Sequence, residues 1–111
     1  MSGRKEGEFV FVYSTFPNRA VAEKVARALV EARLAACVNI FPPMVSLYEW
    51  KGELKADRET AALIKTRRTL AERAIAVARP LHPYATPCFL VLPIDGGSED
   101  YLAWAREQTA T

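Results

Sequence analysis

Residues 36–66 read ACVNIFPPMVSLYEWKGELKADRETAALIKT, and this stretch decides the fold. Ala36 to Phe41 is an extended, mostly apolar run. Pro42-Pro43 interrupts it, because proline has no N–H to give to a ladder. The extended pattern resumes at Met44 and runs to Trp50, and Lys51-Gly52 is a tight turn with glycine where a positive φ is wanted. Glu53 to Thr66 returns as the partner strand, polar at first and then apolar through Ala61, Ala62, Leu63 and Ile64. The whole is one long antiparallel hairpin.

The flanks complete the pattern. Upstream, Glu8 to Phe16 alternates, with Phe9, Phe11 and Tyr13 on one face and Val10, Val12 and Ser14 on the other, which predicts a strand. Pro17 breaks it and Asn18 is placed to cap a helix over Arg19 to Arg33. Val21, Val25, Ala28, Leu29 and Ala32 form its apolar stripe, and Glu23, Arg27 and Glu31 its wet face. Downstream, Thr69 and Glu72 have capping-box spacing for a helix to about Ala78, with Leu70, Ala74, Val77 and Ala78 inward and Pro80 as the stop. Cys88 to Leu92 is a short, wholly apolar strand, which predicts burial on both faces. Asp95-Gly96-Gly97 is read as a turn, and Ser98 opens a last short helix. The order β-α-β-β-α-β is an α+β, ferredoxin-like split β-α-β on an antiparallel sheet, with the long hairpin and an extra C-terminal helix added. Right-handed crossovers put the two main helices on one face. Residues 1–7 read as a flexible tail and 8–111 as a single domain.

The hairpin is too long for its own domain. The arm from Ala36 to Trp50 has 15 residues, about 50 Å of strand. A compact chain of this length has a radius of gyration of about 13 Å and so a diameter of about 35 Å. Val45, Leu47, Tyr48 and Trp50 lie near the tip. Apolar strands left outside a globule mark an interface, so the hairpin is expected to reach onto another copy of the chain. The alternative is a hairpin folded back at Pro42-Pro43.

The totals exclude several classes. The 111 residues carry 15 Lys plus Arg against 13 Asp plus Glu, and a net charge of +2 gives no basic stripe for a polyanion. Phe9, Phe11 and Tyr13 sit where RNA-recognition domains carry aromatics, but Thr60 to Thr66 supplies none on the third strand, so no nucleic-acid partner is expected. No apolar run approaches the length of a membrane span, and residues 1–8 have no apolar signal core. A cytoplasmic location follows, with Cys37 and Cys88 as free thiols. There is no Gly-rich phosphate loop, no carboxylate pair at a suggestive spacing and no triad, so no enzyme is expected.

Four stretches in order then resemble a known family: Leu34 to Ile40, Ser46 to Gly52, Ile64-Lys65-Thr66, and His82-Pro83-Tyr84 followed by Leu92-Pro93-Ile94 and Tyr101-Leu102-Ala103-Trp104. The chain resembles the CutA family of divalent-cation tolerance proteins along nearly its whole length. The resemblance implies a tight homotrimer with the hairpin packed across subunits. It also implies a role in tolerance of, or response to, divalent metals, copper above all. Trimers of this shape resemble PII signal proteins, which bind effectors between subunits. Ala85 and Cys88 stand where many members carry glutamate, and Ser14 where some carry cysteine.

The candidate chemistry is sparse. His82 is the only histidine; its ring suits copper and, less well, zinc, and Cys88 is the nearest thiol in sequence. A transition metal wants about four ligands, so a site on His82 and Cys88 needs copies from other subunits. The plainer reading has His82 bonding backbone in the Pro-rich turn, Cys88 in the core or an interface, and Cys37 as a core thiol. Tyr48, Trp50, Lys65, His82, Tyr84, Tyr101 and Trp104 are the polar-aromatic set that the resemblance singles out. Either they pack subunits together or some line an intersubunit cleft, where Lys65 would meet a small anion. No obligatory cofactor is expected.

Overall fold

The alternating segment near the N-terminus is the middle of the sheet. The computed structural model describes residues 7–109. Along the chain it has β1 (Phe9–Phe16), α1 (Arg19–Glu31), β2 (Cys37–Ile40), β3 (Met44–Trp50), β4 (Glu53–Arg67), α2 (Arg68–Ala78), β5 (Phe89–Ile94) and α3 (Glu99–Gln108). The sheet runs β2-β4-β1-β5, all antiparallel, and β3 also pairs with β4. This is the expected ferredoxin-like α+β arrangement. Residues 1–6 of the expected tail lie outside the described residues. Gly7 is buried, and its carbonyl accepts from Arg68 Nε at 2.9 Å.

α1 and α2 cover one face. Val10 and Val12 of β1 and Ala62 and Ile64 of β4 bury against Val25, Leu29, Leu70 and Ala74. Asn18 caps α1, its side chain accepting from Val21 N at 2.9 Å. The stripe falls on Ala22, Val25 and Leu29, so Ala32 is left in solvent. α1 stops with Arg33 at φ 61°. Leu34 N bonds Leu29 O at 2.9 Å and Arg33 N bonds Val30 O at 3.0 Å. This is a Schellman ending with arginine in the position glycine usually takes.

Two expectations about α2 do not hold. The Thr69–Glu72 box is not formed, because the helix begins at Arg68 and runs straight out of β4. Its first amide is satisfied across the fold, Arg68 N donating to Glu8 O at 3.0 Å. Ala71 is buried with Leu70, Ala74 and Ala78, whereas Val77 is exposed. The apolar β5 is not buried on both faces either. It pairs only with β1, so it is a sheet edge, and Leu90, Val91 and Leu92 are 55%, 42% and 43% exposed. Pro93 fits such an edge, where one side of the strand needs no N–H.

α3 lies on the opposite face and covers one end of it, with Leu102 and Ala105 packed on Phe9, Ala36 and Ile94. Arg67 holds its C-terminal end, Nε donating to Thr109 Oγ1 at 3.0 Å and Nη2 to Arg106 O at 3.2 Å.

The long hairpin continues straight past the prolines and is not folded back. β2 pairs from Cys37↔Lys65 to Ile40↔Ala62, and β3 from Met44↔Glu59 to Trp50↔Glu53, along the same strand. Pro42 and Pro43 stand opposite the single residue Thr60, a bulge of one extra residue. At the tip Lys51 and Gly52 both have positive φ, 51° and 80°, as a two-residue turn requires. The molecule measures 48 × 31 × 23 Å with a radius of gyration of 15.1 Å, larger than the ~13 Å of a compact chain of this length. The excess is the ribbon, whose Val45, Leu47 and Leu54 are 61%, 70% and 80% exposed.

Candidate functional site at the base of the ribbon

Strand register brings the site together. The turn at Lys51-Gly52 sets Trp50 opposite Glu53, hence Tyr48 opposite Lys55, Ser46 opposite Asp57 and Met44 opposite Glu59. Alternation places Asp57 and Glu59 on one face of β4 and Arg58 on the other. On that face β1 contributes Thr15, and the segment before β5 contributes Tyr84 and Cys88. Together with Tyr48 and Trp50 they line an open cavity of about 570 Å³.

Each carboxylate is held by a phenol. Tyr84 donates to Glu59 Oε2 at 2.9 Å, and Tyr48 donates to Asp57. Burial, then the bond to Glu59, pushes the Tyr84 phenol far above its usual range. Tyr48 is raised mainly by its bond to Asp57. Tyr13 is raised by burial, with Cys88 and Glu59 adding to it.

His82 lies behind this cavity and does not line it. The ring is buried, Nε2 donates to Thr15 O at 2.8 Å, and Nδ1 accepts from Tyr84 N at 3.2 Å. It stacks on Phe16 at 4.9 Å between centroids, with Tyr84 at 4.8 Å and the edge of Phe89 at 5.8 Å. Both ring nitrogens are thus occupied, and the histidine orients Tyr84.

Within the chain the seven polar-aromatic residues fall into two groups. Tyr48, Trp50 and Tyr84 line the cavity with His82 behind them. Lys65, Tyr101 and Trp104 form a separate group by α3, where Lys65 Nζ lies 5.4 Å from the Tyr101 ring centre and the Tyr101 and Trp104 rings are 5.5 Å apart. Lys65, the cation of the intersubunit-cleft alternative, thus sits in the α3 group of its own chain. Asp57 and Glu59 line the cavity, and among the described residues no basic side chain does. Sequence reading saw no carboxylate pair, although two-residue spacing on a strand puts both on one face. Carrying the register back from the Lys51-Gly52 turn would have found them.

Cys88 lines the cavity, and its carbonyl accepts from Ser14 Oγ at 2.6 Å. Burial pushes its thiol up, and the nearby Glu59 charge adds to this. A raised pKa means little thiolate at neutral pH, hence slow alkylation. Removing the Glu59 charge lowers that pKa. Glu59→Gln is therefore expected to speed iodoacetamide labelling of Cys88 at pH 8, followed by mass spectrometry with Cys37 as internal reference. An unchanged ratio of the two rates would show that the carboxylate does not act on the thiol.

Among the described residues no three His, Cys, Asp or Glu side chains are grouped to hold a metal ion.

Comparison with known proteins agrees with this architecture. The family described as CutA1 divalent ion tolerance protein matches residues 10–108. The chain belongs to this family. The divalent-cation tolerance protein CutA of Thermus thermophilus is 45% identical over 98 residues, 88% of this chain and 95% of that protein. Its solved structure superposes with a TM-score of 0.88 at 43% identity, over 92% of this chain and 99% of the other. Human protein CutA is 42% identical over 108 residues, which are 97% of this chain. The chain spans only 60% of that human relative's length. An Archaeoglobus fulgidus structure, described as a periplasmic divalent cation tolerance protein, has a TM-score of 0.88 at 38% identity, over 91% of this chain and 98% of that one. The family is named for tolerance of divalent ions and not for a reaction. No helix among the described residues is long and apolar enough to cross a membrane.

Proposed function

We propose that this chain works as a homotrimer in divalent-metal tolerance or response, of the copper type, without catalysis, and that it takes up its ligand where subunits meet. The observation that carries this reading is the half-open cavity at the base of a ribbon that its own subunit leaves uncovered. Exposed apolar side chains on Val45, Leu47 and Leu54, and the bare edge of β5, call for shelter of the kind another copy gives. Cys88 is the soft donor in the cavity and suits copper. His82 would have to give up two hydrogen bonds to serve as a ligand. Any metal is therefore shared between copies, with donors drawn from each. A cytoplasmic location belongs to the same reading, supported by two free cysteines, Cys37 and Cys88.

A second reading makes the protein an interaction or PII-like signalling module in which metal binding is incidental. The lack of a three-donor group and the full engagement of His82 favour it. Light scattering with calorimetric titration of Cu²⁺ and Zn²⁺ separates the two. The first reading expects three chains per particle and saturable copper binding at a fixed ratio per trimer, lost in Cys88→Ser. A single-chain particle sinks the assembly. Binding that is weak, non-stoichiometric or untouched by Cys88→Ser leaves the second reading.

A further inference from the structure

We propose that the cavity at the base of the ribbon binds a small organic cation, an ammonium ion carrying an apolar or aromatic body. The inference rests on the reading of this cavity as a ligand site and adds a second class of ligand to the metal proposed there.

Four observations carry it. The volume, about 570 Å³, is that of a small-molecule site. Two carboxylates, Asp57 and Glu59, line it, and among the described residues no lysine, arginine or histidine does. Arg58, between them in sequence, is turned to the other face by strand alternation. The walls are aromatic, with Trp50, Tyr48 and Tyr84 around the acids. Each acid accepts from one phenol through one oxygen, Asp57 Oδ2 and Glu59 Oε2, and a carboxylate has room for more than one donor. A bare dication wants a shell of many hard oxygens, and two carboxylates among rings do not form one. An ammonium group needs only a few acceptors, and its body gains from ring faces both by burial and by cation–π attraction. The negative field is felt by its neighbours: Tyr13, Tyr84 and Cys88 all have their protons held more tightly in part by Glu59.

Calorimetric titration with phenethylammonium, and with phenylacetate as a control of similar shape and opposite charge, tests this on the full chain in its native assembly. Saturable binding of the ammonium and none of the carboxylate is expected. Asp57→Asn and Glu59→Gln keep shape and remove charge, and each is expected to weaken the ammonium about tenfold or more at unchanged particle mass and circular dichroism. Equal binding of phenylacetate, no saturable binding of the ammonium, or binding unmoved by both variants overturns the proposal. So does a result in which the variants change only the particle mass, which would give the carboxylates to a sister subunit's basic side chain. The Cu²⁺ titration is independent. Ammonium binding lost with copper binding intact removes this inference alone, and the reverse removes the metal reading alone.

Discussion

Aspartate at both Leu47 and Leu54 is expected to reduce the proposed homotrimer to single 12.4 kDa chains. The two side chains are 70% and 80% exposed in the subunit. Substitutions at such sites change the stability of an isolated fold by about 0.5 kcal/mol or less. In the proposed trimer the same leucines would be buried. Each would contribute about 1.5–3 kcal/mol by leaving water, and every chain contributes both. A carboxylate in their place must lose its hydration, which costs several kcal/mol more when nothing pairs with it. The substitution therefore separates folding from assembly. Light scattering should show the mass falling from three chains to one, while far-UV circular dichroism of the single chain stays intact. A particle of unchanged mass would mean that this side of the ribbon faces water and the contact lies elsewhere.

His82→Ala is expected to cost about 2–4 kcal/mol of folding stability, with or without metal present. The ring fills space between Phe16, Tyr84 and Phe89, so truncation leaves a cavity. It also strips the Thr15 carbonyl of its donor and the Tyr84 amide of its acceptor. His82→Phe restores most of the volume and neither bond, so a smaller loss, about 1–2 kcal/mol, is expected. Urea unfolding of the three proteins, each with and without chelator, makes the comparison. If the loss in His82→Ala disappears when metal is removed from all three, the ring is a ligand after all and its hydrogen bonds are secondary.

Much of the fold could be read from local signals. Strict alternation marked β1, Asn18 marked the start of α1, and Lys51-Gly52 marked the ribbon tip to the residue. Each of these depends on chemistry within a few positions of itself. What escaped depends on distant partners. α1 ends at Glu31, short of Arg33, because Leu34 plugs into the core beside Leu29, and no glycine announces it. α2 needs no capping box because Glu8 meets its first amide. β5 is apolar and yet open, since only the strand order decides which strand is last. At the site the aromatics were visible as residue types, but the acids that give the cavity its sign were not. Their meaning comes from register, and a charged residue on a polar half-strand looks like any solvated position. The separation of Lys65 from Trp50 within the chain is likewise fixed by the fold and not by the sequence.

The extra residue at Pro42-Pro43 has a consequence for how the chain is built. In a straight strand Val38 and Ile40 would face opposite ways from Val45 and Leu47. The insertion moves the later pair into line with the earlier one, and with Leu54 and Ala56 on β4. The hydrophobic interior thus starts beneath α1 and runs out along the ribbon as one seam, unfinished at its far end. In the trimer proposed above, other copies would complete that core, and folding would be tied to mass action. The midpoint of unfolding would then rise with protein concentration, and dilution alone would weaken the native state.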